Sequence, residues 1–305
     1  MDEPHGRDGR EIALRVGLIG AGPWARMVHA PAIAAHPDTE LVSVWARRAG
    51  MAADVAVEHG ATVADTPDEL IASVDAVAFA VPPDVQAELA VRAADAGRHL
   101  VLEKPIAATV PEAEQLAGAV ADAGVASIVL LTRRYAPEVV EWLATAEATG
   151  GWVTGAATWY GGALLAGPFS NSPWRHERGG IADVGPHTLD LLDAALGPIT
   201  DVLAARHGAP DLWHLVLGHE NGATSTASMS LALPLDPGVV DVSLYGTGGR
   251  LTLPAPTTPT SACYAALLDD LLDMVHSGQR KHRCDVHRGL HLQRLINDAE
   301  RLALA

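Results

Sequence analysis

The 305-residue sequence predicts an α/β fold, with an N-terminal doubly wound parallel sheet followed by a C-terminal α/β domain whose sheet is open and mainly antiparallel. Three observations carry this reading. Short apolar runs alternate with alanine-rich helical stretches as far as Leu131. From about Gly151 the pattern changes to strand-like segments divided by glycine, proline or asparagine turns. The chain is long enough for two cores, and 49% hydrophobic with 19% charged residues is an ordinary globular composition. The expected boundary gives domains over 1–131 and 132–305, with residues 1–10 as a mobile tail.

In order, "EIALRVGLIG" is nearly continuous in its apolar character and predicts a buried parallel strand. "LVSVWA", "VDAVAFAV", "RHLVLE" and "ASIVLL" predict further strands. Between them "AGMAADVAVEHG", "PDVQAELAVRAADAG" and "PEAEQLAGAVADAG" have helical periodicity, two of them opening on proline, which suits a first helical turn. In the second part "GWVTGAATWYGG", "ITDVLAARHG", "DLWHLVLGHE", "ATSTASMSLAL" and "VVDVSLYGTGG" predict strands, and one long helix begins near Ile181. Small polar residues interleave with Ala227, Met229 and Leu231, so one face of that sheet is expected to be wetter than the other. "PAPTTPT" is a stiff connector to two closing helices.

A formal net charge of -16 argues against nucleic acid or an anionic membrane as a partner, because a polyanion is repelled. No apolar run reaches membrane-spanning length, no signal peptide is legible, and two cysteines make no disulfide framework. A cytoplasmic location is the expectation.

Several short stretches carry chemistry. "GLIGAGPWA" places Gly20 and Gly22 after a buried strand, with Ala25 in the third small position. This is the spacing of a dinucleotide turn: Gly20 permits the bend, Gly22 lets the backbone approach a pyrophosphate, and Ala25 packs helix on strand. An NAD enzyme is expected to carry an acid about 20 residues on. Here the second strand ends instead in Ala46, Arg47 and Arg48, two guanidiniums suited to a ribose 2'-phosphate, so NADP(H) is expected in preference to NAD(H). "VLEKPIAAT" brings Lys104 out at the carboxyl edge of the first sheet, and Pro105 restricts its backbone. In "RGGIADVGPHTLDLL" the residues Asp183, His187 and Asp190 are spaced to share a helix face, where leucines would have served a core.

Taken together, "GLIGAGPWARMVHAPAI", "EKP" and "GGIADVGPHTLDLL" resemble the Gfo/Idh/MocA family of glucose-fructose oxidoreductase, inositol dehydrogenase and rhizopine-catabolism proteins. The resemblance covers nearly the whole chain. It implies a Rossmann domain, a second domain with an open sheet, an active site between them, and Lys104, Asp183 and His187 as the catalytic set. On this reading the cofactor is held by Gly20, Gly22, Pro23, Trp24, Ala25, Arg47, Arg48, Pro82, Glu103 and Lys104. The substrate is held by Trp174, Arg175, Asp183 and His187. Gln86 stands where the family commonly has histidine, and Thr132 where it often has asparagine.

The implied reaction is hydride transfer between a nicotinamide and a hydroxyl or carbonyl carbon of a sugar, cyclitol or related small molecule. Hydride transfer at carbon needs a matching proton on oxygen, and an imidazole, with an unperturbed pKa of about 6.5, handles one near neutrality. His187 is expected to take that role, with Lys104 polarising the same oxygen and Asp183 orienting the imidazole or a second hydroxyl. Asp190 is expected to cap, to pair with an arginine or to support the site. A redox-neutral glycosidase with retained cofactor and a non-catalytic nucleotide sensor are the alternatives. No metal site is expected: His287 and His291 read as an exposed helix face, and Trp159 and Tyr160 as core or interface residues. Self-association through the C-terminal sheet is expected, as in many relatives.

Overall fold

The computed structural model describes residues 13–304. The tail expected over residues 1–10 lies outside the described residues. The first sheet is formed by β1 (Leu14–Ile19), β2 (Thr39–Trp45), β3 (Thr62–Val63), β4 (Ala76–Phe79), β5 (His99–Leu102) and β6 (Ser127–Val129). Its order is β3-β2-β1-β4-β5-β6, every pairing is parallel, and the reversal of order beside β1 opens a crevice at the carboxyl ends of β1 and β4. The connecting helices are α1 (Ala30–Ala35), α2 (Ala49–His59), α3 (Pro67–Ser73), α4 (Pro83–Asp95) and α5 (Val110–Ala123). Thr66 and Thr109 cap α3 and α5 by accepting the amides of Glu69 and Glu112. The β3–α3 pair escapes the sequence reading because two residues are too few to show a strand period.

Next come α6 (Pro137–Thr149), β7 (Trp152–Tyr160), α7 (Pro173–Asp183) and α8 (Gly185–Leu196). They are followed by β8 (Ile199–Gly208), β9 (Leu212–His219), β10 (Thr224–Ser230), β11 (Val239–Gly246) and β12 (Gly249–Thr252). The second sheet runs β12-β11-β7-β10-β9-β8 and is antiparallel except for the β7–β10 pair. Along β10, Ala227 and Met229 are buried while Thr224 and Thr226 are exposed, so the period-two pattern separates a dry face from a wet one. The dry face is covered by α8, whose Leu192 and Leu196 lie against Gly155 of β7.

The closing helices are α9 (Thr260–Ser277) and α10 (Val286–Ala303). The chain forms two compact units: one runs to Leu130 and includes Thr260–Arg288, the other is Leu131–Pro259 with the chain from Gly289. A single cut near residue 131 therefore misplaces α9, which returns to the first unit. Its apolar stripe, including Tyr264, Leu267, Leu268 and Leu271, is fully buried, and the Tyr264 hydroxyl bonds His29 at 2.8 Å. A helical period shows which face is buried but not which sheet buries it.

Candidate active site

In the first unit the glycine turn closes between β1 and a π-helical turn, Ala25–His29, that leads into α1. Gly20 has φ of +126°, and a Cβ there would stand 2.3 Å from the Ala80 carbonyl oxygen. Only glycine fits both demands. Gly22 has nothing within 4 Å of its Cβ position, so the space that a pyrophosphate needs is open. Ala25 is fully buried, as close helix–strand packing requires. A cavity beside the turn is lined by Gly20, Trp45, Arg47, Arg48, Met51 and Pro82, with Arg47 and Arg48 exposed at its edge. These residues fit a dinucleotide: a bend without side chains, open room at the second glycine, and cations beyond the second strand.

Lys104 follows β5 and is partly exposed between buried neighbours. Its loop is held from inside. Gln86, completely buried near the start of α4, donates from Nε2 to the carbonyl oxygens of Glu103 at 2.8 Å, Ile106 at 3.1 Å and Pro105 at 3.3 Å. Its Oε1 accepts the Glu103 amide at 2.8 Å. Gln86 thus clamps the backbone on both sides of the lysine. The Glu103 carboxylate accepts from Trp24 Nε1 at 2.6 Å, bonds His29 Nε2 at 2.9 Å, and accepts the Lys104 amide at 3.2 Å. The lysine loop is thereby tied to the helix that leaves the glycine turn.

In the second unit the expected long helix is interrupted. Gly179, at φ +65° and ψ -168°, breaks α7, and the helical course resumes behind it. Val184 N–H bonds the Gly180 carbonyl at 2.8 Å and Thr188 N–H bonds that of Val184 at 3.0 Å. Pro186 has no N–H to continue the ladder, which divides α7 from α8. Asp183 and His187 therefore lie on either side of a proline break, still one turn apart. The double glycine has a tertiary cause: Asp211, itself at φ +58°, accepts the Gly180 amide at 2.8 Å, and a Cβ on Gly179 would meet its Oδ1 at 2.2 Å. The carboxylate of the β8–β9 turn sits at the amino end of the resumed helix, where the helix dipole favours it.

The three polar residues of this stretch have separate surroundings. Asp183 accepts from Arg175 Nε at 2.9 Å, both side chains being mostly buried. The Arg175 guanidinium also lies over the rings of Trp174 and Phe169, 4.5 and 4.8 Å from their centroids. His187 is 8% exposed and stacks on Trp159, centroids 5.6 Å apart at 24°. Arg133 stands over the same indole at 5.4 Å. Asp190 is buried and bonds Arg134 Nη1 through both oxygens, at 3.1 and 3.3 Å. His291, expected on an exposed face, instead bonds Asp193 of α8 at 2.6 Å.

The structure therefore gathers the glycine turn, Glu103 and Lys104 in one unit, and Trp174, Arg175, Asp183 and His187 in the other. Sequence reasoning missed Gln86, Trp159, Arg134 and Asp211 as site residues. "TRRY" next to a helix with buried carboxylates is a usable signal for Arg134, whereas nothing local marks Asp211, 31 residues from its partner.

Comparison with known proteins bears on this geometry. The oxidoreductase family with an NAD-binding Rossmann fold matches residues 14–130, and the GFO/IDH/MocA C-terminal domain matches residues 134–252. The chain belongs to the Gfo/Idh/MocA oxidoreductase family. Solved structures carry the same fold. GenD2 from gentamicin A biosynthesis, in complex with NAD, is 22% identical with a TM-score of 0.86, covering 100% of this chain and 97% of that one. A myo-inositol dehydrogenase from Corynebacterium glutamicum is 20% identical with a TM-score of 0.81, covering 96% and 97%. A levoglucosan dehydrogenase, in complex with NADH and levoglucosan, is 18% identical with a TM-score of 0.82, covering 96% and 97%. The comparison with curated proteins returned no match. Among the described residues no helix is long and apolar enough to cross a membrane.

Proposed function

We propose that this member of the Gfo/Idh/MocA family is an NADP(H)-preferring dehydrogenase or reductase of a hydroxyl/carbonyl pair in a sugar, cyclitol or related small molecule. The observation that carries the reading is the tie between turn and lysine: Glu103 joins Trp24, beside the glycine turn, to the backbone of Lys104. A relative named for myo-inositol and another bound to levoglucosan support the substrate class. A bound nicotinamide supplies or accepts hydride at its C4. Lys104 places a positive charge on the reacting oxygen and stabilises developing alkoxide. His187 gives or takes the proton on that oxygen, and Asp183, oriented by Arg175, holds substrate. A cytoplasmic location is part of the same proposal. A screen of ketones, sugars and polyols with NADP(H), followed by nicotinamide absorbance, tests it. Silence across all three classes would overturn it.

Arg47 and Arg48 border the turn cavity where the family's NAD enzymes need an acid, so they favour a 2'-phosphate. NADP(H) is expected to bind at least about tenfold more tightly than NAD(H), roughly 1.4 kcal/mol. Exchanging both arginines for serine removes that margin. Fluorescence titration reads it, and tighter NAD(H) binding in the wild type ends the cofactor assignment.

We also propose self-association through the wet face of the second sheet. Val216 is 38% exposed there, with Thr226 opposite it in the register, and Tyr245, opposite Thr154 of β7 on the same face, is 37% exposed. A homo-oligomer is expected by light scattering, and Val216→Lys shifts it toward monomer. A monomeric wild type at micromolar concentration would remove this claim.

A further inference from the structure

Behind the lysine loop lies a buried hydrogen-bond chain that the reaction does not use directly. His29 and Tyr264 are both 0% exposed. His29 Nε2 meets Glu103 Oε1 at 2.9 Å, and its Nδ1 meets the Tyr264 hydroxyl at 2.8 Å. A carboxylate only accepts, so Nε2 must carry the hydrogen. Burial, with the charge of Glu103 adding to it, pushes the Tyr264 phenol well above its usual pKa, so the hydroxyl keeps a proton that it can donate to Nδ1. With Nε2–H toward Glu103 and Nδ1 accepting from Tyr264, every donor and acceptor of the chain is matched. The tyrosine comes from α9, the histidine from the helix after the glycine turn, and the glutamate from the loop that ends β5.

We propose that His29 and Tyr264 are positioning residues for Lys104. Tyr264 fixes the His29 tautomer, His29 fixes the Glu103 carboxylate, and Glu103 fixes the Lys104 backbone through its amide. This rests on the catalytic role of Lys104 given above. The alternative is that His29 and Tyr264 fill space only.

Glutamine at position 29 offers one donor and one acceptor, as the neutral imidazole does, whereas leucine offers neither. In the full-length protein His29→Gln is expected to keep kcat within about threefold, and His29→Leu to lose roughly tenfold or more, with cofactor affinity within about twofold for both. Lys104 acylation by an amine reagent, read by peptide mass spectrometry, should follow the same order without needing turnover. Imidazole ¹⁵N shifts should report the Nε2–H tautomer of His29 in the wild type and change in Tyr264→Phe, a variant that removes one oxygen and leaves the packing. Leucine performing as well as glutamine in labelling and turnover would overturn the proposal, as would ¹⁵N shifts that Tyr264→Phe leaves unchanged. If the wild type turns over no nicotinamide-linked substrate, the proposed function falls, while labelling and ¹⁵N shifts still decide the relay.

Discussion

His187→Ala is expected to lower kcat by roughly 10²–10⁴-fold, the usual contribution of a positioned proton donor. Lys104→Ala is expected to cost about 10²–10³-fold through lost charge stabilisation of a developing alkoxide. His187→Ala should not move cofactor affinity by more than about twofold, because the turn and its cavity are built from other side chains. Steady-state kinetics on whichever substrate the screen finds, paired with a cofactor titration, separates the two effects. The imidazole of His187 is stacked on Trp159, and the Asp211 carboxylate holds the Gly180 amide in the segment that leads to it. Near-normal rates in both variants would remove the catalytic assignment.

Asp190→Ala is expected to destabilise the protein by about 3–5 kcal/mol, since it leaves the Arg134 guanidinium buried without this carboxylate. The pair is 10% and 1% exposed at its side chains, so water screens it little. Removing both charges, as Arg134→Leu with Asp190→Leu, should recover much of that loss, because the cost lies in the stranded charge rather than in the missing attraction. Urea unfolding of the two variants against the wild type measures it. A loss below about 1 kcal/mol in the single variant would place the pair among ordinary surface bridges. The third polar residue on the helix is thus an anchor for the turn at 132–135, distinct from the two proposed for chemistry.

What the chain determined alone is what a few consecutive residues control. The bend at Gly20 is a matter of backbone freedom over five or six residues, and the alternation of apolar and helical runs follows from periods of two and 3.6. The parallel sheet, the glycine turn and the lysine at a strand end were therefore all legible. The interruption of the helix that leads to His187 was half legible: Gly179 and Pro186 are visible as breakers, but the demand for glycine at 179 comes from Asp211, placed there by the β8–β9 turn. Tertiary packing alone decided that Gln86 grips the lysine loop, that Trp159 faces His187, and that α9 returns to put Tyr264 on His29, 235 residues away. The physical reason is that a buried polar atom must find a partner somewhere. Which partner it finds depends on how layers stack, and no local period records that.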